Sequence, residues 1–155
     1  ISSGMHELLK RPALYQQLQA HPEQLPLAIE EMLRWTCPLH YFRRTATCDT
    51  EIRGQAIKAG DRVVMLYSSA NFDEEVFVEP MNFDITRSHN PHMAFGHGIH
   101  LCLGANLARM EARAFFEEFF KYFARIESTA QPVYIRSNSI HGFKDMPVLL
   151  TPREQ

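Results

Sequence analysis

The sequence predicts a mainly helical chain with a small antiparallel β component, an α+β fold. Three observations predict it. From Gly104 to about Ala124, Leu107, Ala108, Ala112, Phe115, Phe116, Phe119 and Phe120 recur at helical spacing and form one apolar face. Between Pro26 and Pro38, Leu27, Ile29, Met32, Leu33 and Trp35 repeat the pattern. From Arg43 to Tyr67, short β-prone runs are separated by turn residues, which is the signature of hairpins.

In chain order, residues 1–10 read as the end of a helix stopped by Pro12. Pro12 to Ala20 reads as a short helix with proline in its first turn, broken at His21-Pro22. A helix over 25–36 follows, ending before Pro38 because the residue ahead of a proline disfavours helical dihedrals. Strands are expected at Arg43–Thr47, Glu51–Arg53, Ala56–Ile57 and Arg62–Tyr67, with turns at Gly54 and Ala59-Gly60-Asp61, giving one small antiparallel sheet. Residues 70–94 have no sustained period, yet carry Phe72, Val76, Phe77, Met81, Phe83 and Ile85, all apolar enough to require burial; a connection of this length is expected to be functional. After the long helix, Val133–Ile135 and Val148–Leu150 are expected to pair as a terminal hairpin.

The 155 residues, 45% of them hydrophobic, suffice for one globular unit. With 16 basic and 18 acidic side chains and no block of like charge, there is no basic footprint for nucleic acid. No apolar run approaches the roughly 18 residues of a membrane span. Cys37, Cys48 and Cys102 are too few and too irregular for a disulfide framework, which points to a reducing, cytoplasmic setting. The chain starts at Ile1 with Met5 inside an already helical pattern, so it is expected to be a piece of a longer protein.

Chemistry concentrates at residues 91–104, where three glycines, three histidines and Cys102 precede the long helix without a carboxylate. Gly96-x-Gly98 lacks the third glycine and the preceding strand of a dinucleotide loop. Cys102 stands at a helix mouth, where the dipole and free N–H groups favour a thiolate. A buried, inert cysteine is the plainer alternative. Two metal readings compete with it: zinc held by His92, His97, His100 and Cys102, at a spacing that matches no closed structural motif, or haem iron held by Cys102 alone, with histidines and arginines pairing the propionates.

Phe95-Gly96-His97-Gly98-Ile99-His100-Leu101-Cys102-Leu103-Gly104, followed by Ala105 to Glu111, resembles the haem-binding signature of the cytochrome P450 family, especially its soluble bacterial members. Glu31-Met-Leu-Arg34 resembles the family's E-x-x-R helix, Phe83 to Arg87 its meander arginine, and Arg44 to Asp49 its propionate-binding strand, all in family order. The likeness extends over essentially the whole chain. Lys58, where proline is common, and Phe72, where arginine is common, depart from the pattern outside the haem motif.

The resemblance implies the C-terminal part of a P450 fold, with residues 1–155 a fragment of a single haem-thiolate monooxygenase domain. It implies haem b (iron protoporphyrin IX) as cofactor and Cys102 as its axial ligand. Arg44, His92 and His100 become propionate partners, Phe95 shields the sulfur, and Gly96, Gly98 and Gly104 let the backbone approach the porphyrin. Arg43 and His97 have weaker claims and stay outside the site. Glu31 and Arg34, on sequence alone an i,i+3 pair worth about 0.2–0.5 kcal/mol, become with Arg87 a buried structural charge cluster. The implied reaction inserts one oxygen atom of dioxygen into a hydrophobic substrate, with a steroid or terpenoid as the narrower expectation. Electrons come from a ferredoxin or flavoprotein, for which Arg109 and Arg113 offer positive charge. Pro38–Phe42 and Ser139–His141 match substrate-recognition segments. The oxygen-activating helix is expected before Ile1, so catalytic residues are expected outside this chain. The alternatives are a haem-binding protein without turnover and a shortened chain without haem function.

Overall fold

A computed structural model describes residues 1–154. Helices α1 (Ser2–Leu9), α2 (Pro12–Ala20) and α3 (Leu25–Thr36) lead, with a 3-10 turn at Pro22–Gln24. Strands β1 (Tyr41–Thr45), β2 (Thr50–Ile52), β3 (Gln55–Ile57) and β4 (Arg62–Leu66) follow, then a short helix α4 (Tyr67–Ala70), a 3-10 turn at Gly98–His100 and the long helix α5 (Ala105–Tyr122). The chain finishes with β5 (Phe123–Ser128), β6 (Val133–Tyr134), β7 (Phe143–Asp145) and β8 (Val148–Pro152). The α+β class is as the sequence predicts.

The sheet pattern differs from expectation in two places. Residues 41–66 form two separate antiparallel pairs, β1 with β4 (Tyr41↔Leu66 to Thr45↔Arg62) and β2 with β3, where one sheet was expected. At the C-terminus, the expected pairing of Val133–Ile135 with Val148–Leu150 is absent; β6 pairs with β7, and β8 pairs with β5. β5 lies partly where the long helix was expected to continue. The apolar rhythm of Phe115, Phe116, Phe119 and Phe120 runs into Phe123 with no Gly or Pro to stop it, so periodicity carries no boundary. The boundary is tertiary. Tyr15 and Gln19 donate to the Phe123 carbonyl at 3.3 and 2.8 Å, Arg153 Nε donates to the Phe120 carbonyl at 2.9 Å, and the Arg153 amide donates to Tyr122 at 2.8 Å. These contacts satisfy helix-end carbonyls that have no partner within the helix.

The core lies where α1, α2, α3 and α5 meet, filled by Met5, Leu8, Tyr15, Leu18, Leu25, Ala28, Ile29, Met32, Phe116 and Phe120. Phe83 and Ile85 from the irregular 71–94 connection join it. Phe77 is also buried, whereas Val76 and Met81, expected inside, are 46% and 74% exposed. An aperiodic segment offers no face from which to tell inside from outside.

Candidate functional site

α3 supplies the anchor of the site. Glu31 and Arg34 lie one turn apart and both are fully buried. Arg34 Nε and Nη2 donate to the two Glu31 oxygens at 2.8 Å each, a fork-on-carboxylate geometry. The remaining Arg34 donors reach the carbonyls of Asn71, Pro80 and Asn82. Arg87 Nε meets Glu31 at 3.2 Å, and its other nitrogens hold the carbonyls of Val78, Glu79 and Asn82. A segment without regular structure therefore has its backbone acceptors satisfied by two arginines. Asn71, fully buried, continues the chain of contacts: Nδ2 donates to the Arg34 carbonyl at 3.0 Å, and Oδ1 accepts the Met93 amide at 2.6 Å.

Met93 lies in the first turn of the cysteine loop. The Gly96 amide donates to Met93 at 2.8 Å, and the Cys102 amide donates to the Phe95 carbonyl at 2.9 Å, closing 95–102 on itself. Gly96 has φ +72°, and a Cβ there would stand 3.3 Å from the Tyr67 hydroxyl and 3.4 Å from the His100 carbonyl. Both conformation and space favour glycine. α5 begins at Ala105 without a side-chain cap, so the positive end of its dipole faces the loop three residues after Cys102.

A cleft of about 410 Å³ opens over this loop, lined by Leu33, Pro38, Leu39, Phe42, Arg44, Tyr67, Ala94, Phe95, Gly96, His100 and Cys102. Phe42 and Arg44 sit two apart on β1, which puts them on one face of the strand. Pro38 and Leu39 reach the cleft because Cys37, at φ +35°, turns the chain sharply at the end of α3. Among the described residues lining the cleft there is no carboxylate; its wall is apolar except for a guanidinium, an imidazole, a phenol and a thiol. A groove of about 600 Å³ between α1, α2 and β5 is larger but contains neither cysteine nor histidine.

Of the residues singled out in the sequence, Arg44, Phe95, Gly96, His100 and Cys102 converge on the cleft. Gly104 lies outside its lining, 4.0 Å from the Cys102 sulfur as measured from a Cβ built on it. His92, expected beside Arg44 and His100, is placed elsewhere. Its Nε2 lies 3.0 Å from Glu30, its Nδ1 accepts the Ala94 amide at 3.2 Å, and its side chain is 3% exposed, so both ring nitrogens are committed away from the cleft. Among the described residues no three His, Cys, Asp or Glu side chains gather as metal ligands, so the four-ligand zinc set is not assembled. Arg109 pairs with Glu30, and Arg113 with Glu117 on the same helix. The two expected recognition segments meet: Leu39 bridges Ile140, the His40 amide donates to Ser139, and the His141 amide donates to Pro38. Sequence reasoning missed Glu30, Asn71 and Tyr67, whose partners lie far along the chain.

Among the described residues no helix is long and apolar enough to cross a membrane. Comparison with known proteins gives one answer. A family profile described as Cytochrome P450 matches residues 3–143. The chain is 43% identical over 144 residues to cytochrome P450-terp from Pseudomonas sp, covering 93% of this chain and 34% of that protein. It is 42% identical over 155 residues to a steroid C26-monooxygenase from Mycobacterium tuberculosis, covering 98% of this chain and 42% of the relative. Its fold superposes on a versatile cytochrome P450 enzyme from Bacillus subtilis with a TM-score of 0.91 at 45% identity, covering 95% of this chain and 40% of the other. The chain thus spans well under half the length of the relatives it matches, and within that span it belongs to the cytochrome P450 family.

Proposed function

We propose that this chain is the cysteine-bearing part of a haem-thiolate monooxygenase that inserts one oxygen atom of dioxygen into a hydrophobic substrate, taking electrons from a ferredoxin or flavoprotein. One observation carries the proposal: the Cys102 thiol opens onto an apolar cleft with Arg44 and His100 in its wall and no carboxylate. This donor set suits haem b: an apolar macrocycle, two carboxylates that call for cationic or N–H partners, and an iron that takes a soft sulfur ligand. When bound, the iron supplies dioxygen activation, and a thiolate ligand favours cleavage of the O–O bond.

The chain's residues bind and position. Cys102 would hold the iron, and Arg44 and His100 the two carboxylates. With the group bound, Phe95, Leu39 and Phe42 would keep water from the apolar wall, which strengthens every charge interaction inside. The closed 95–102 loop fixes the backbone behind the sulfur, so its position does not depend on a mobile turn. A steroid or terpenoid substrate is part of this reading, supported by the steroid C26-monooxygenase and cytochrome P450-terp relatives and by the apolar Pro38–Phe42 segment beside Ser139–His141. A cytoplasmic setting accords with three unpaired thiols.

The test is the absorbance of the reduced, carbon monoxide-treated intact protein. A red-shifted Soret band typical of thiolate ligation is expected, followed by oxidation of a steroid when reductant and dioxygen are supplied. Haem uptake with a band typical of a nitrogen or thiol ligand would overturn the assignment.

A further inference from the structure

Glu30 precedes Glu31 on α3 and points about 100° away around the helix, toward α5 and the cysteine loop. Arg109 from α5 grips its carboxylate with two donors, Nε to Oε1 at 2.6 Å and Nη2 to Oε2 at 2.7 Å. His92 Nε2 meets Oε2 at 3.0 Å. Because His92 Nδ1 accepts the Ala94 amide, its proton lies on Nε2 and is donated to Glu30. The two partners flank Cys102 in sequence, one on each side, so a single carboxylate ties down both ends of the loop.

Phe95 lies between them. The Arg109 guanidinium carbon sits 4.7 Å from the centre of the Phe95 ring, and the His92 ring is 6.1 Å from it on a tilted approach. Phe95 lines the cleft, and its carbonyl accepts the Cys102 amide at 2.9 Å. Glu30, His92 and Arg109 do not line the cleft. Any influence they have on the sulfur passes through Phe95 and the loop backbone.

We propose that Glu30 is a positioning residue for the Cys102 sulfur, clamping His92 and Arg109 to one carboxylate so that the Phe95 ring and both ends of the loop are fixed and the thiolate stays on the iron. The inference rests on the haem-thiolate reading of the cleft. It differs from the role of Glu31, which holds the 71–94 connection and does not touch the cysteine loop's ring or the α5 arginine.

The experiment uses the intact haem-loaded protein, reduced and carbon monoxide-treated, and follows conversion of the thiolate-type Soret band to the thiol-ligated form in mild urea, together with the midpoint potential of the iron. Glu30→Gln loses one charge-assisted pair and is expected to speed conversion about tenfold and to shift the potential. In a Phe95→Leu background the same substitution is expected to have little further effect, since residues acting in one chain of contact are not additive. If Glu30→Gln folds poorly, Arg109→Lys keeps the charge, loses the two-pronged grip, and is expected to speed conversion in the same direction. A lowered thermal midpoint with unchanged conversion rate and potential would assign Glu30 to general stability and overturn the inference. Equal acceleration with and without the Phe95 ring would overturn it too. An unsubstituted protein lacking the thiolate-type band would instead overturn the haem-thiolate reading itself, and this inference with it.

Discussion

Glu31 and Arg87 lie 56 positions apart in sequence, and their side chains meet at 3.2 Å around a carboxylate with no exposure to solvent. The same two oxygens also accept from Arg34, from the Asp84 amide at 2.9 Å and from Asn90 Nδ2 at 3.1 Å. One buried anion thus organises a helix and a connection that has no hydrogen-bond ladder of its own.

Replacing Glu31 by Gln leaves the Arg34 and Arg87 guanidinium groups without their counter-charge in a dry site. Such a loss is expected to lower unfolding free energy by about 3–5 kcal/mol, read from denaturant midpoints. Breaking the Arg113–Glu117 pair, 59% and 42% exposed, is the control and should change stability by about 0–1 kcal/mol. Equal effects at the two sites would mean that the cluster is not organising the connection.

Cys102→Ser in the intact protein should remove the thiolate-type carbonyl band, because serine oxygen replaces the soft donor at a helix mouth. Arg44→Met should weaken haem retention about tenfold, measured by transfer to a haem acceptor, since one charge-assisted hydrogen bond to a carboxylate is lost. His97, exposed and outside the cleft, serves as the comparison: its replacement by Leu should leave both readouts unchanged.

At Gly96 an alanine would meet both a positive φ and atoms at 3.3 and 3.4 Å. A cost of about 1–2 kcal/mol in thermal or denaturant unfolding is expected, with looser haem retention, because the strained turn is the one that brings Phe95 and Cys102 together. Unaltered stability would show that the Tyr67 hydroxyl simply moves aside.

Burial alone would push the Glu30 carboxyl up, but hydrogen bonds from Arg109 and His92, and the Arg109 charge, overcome it and hold the group at about 2, against an ordinary 4.5. The folded value lies below the unfolded one. The associated stability is therefore fully present above the unfolded value and is lost as pH falls from there through about 2. Relative to Glu30→Gln, the parent protein should lose about 2 kcal/mol more of unfolding free energy across that window, by denaturant titration at each pH. Parallel curves for the two proteins would contradict the pairing.

What could be read from sequence followed from local rules. α3 is bracketed by Pro26 and Pro38, and α5 shows its apolar face over five turns, so both were legible. The cysteine loop announced itself because its unusual residues are contiguous. Features set by distant partners were not legible. Glu30 finds His92 and Arg109 at separations of 62 and 79 residues, and a glutamate on a helix carries no mark of that. His92 has the right chemistry for a propionate partner, yet spacing does not tell which way an imidazole turns out of an irregular loop. The end of α5 at Tyr122 depends on Tyr15, Gln19 and Arg153, all remote in sequence.

The arginine-held connection has a consequence for the order of folding. The ties from α3 to 71–94 close long loops, whereas the Arg87 bonds inside the segment are local: Arg34 reaches 37 to 48 positions ahead for its carbonyl partners, and Glu31 reaches 53 to 59. The entropy of closing such loops is lost before any contact repays it, so this segment is expected to order late, after α3 has docked into the helical core. The amides of Asp84 and Met93, bonded to Glu31 and Asn71, should then exchange their hydrogens in step with one another and only when the whole segment lifts away. In hydrogen-exchange terms, a stretch with the look of a loop is expected to behave as one cooperative unit, because Glu31 and Arg34 from one turn of α3, with Asn71 and Arg87 bonded to them, hold its backbone.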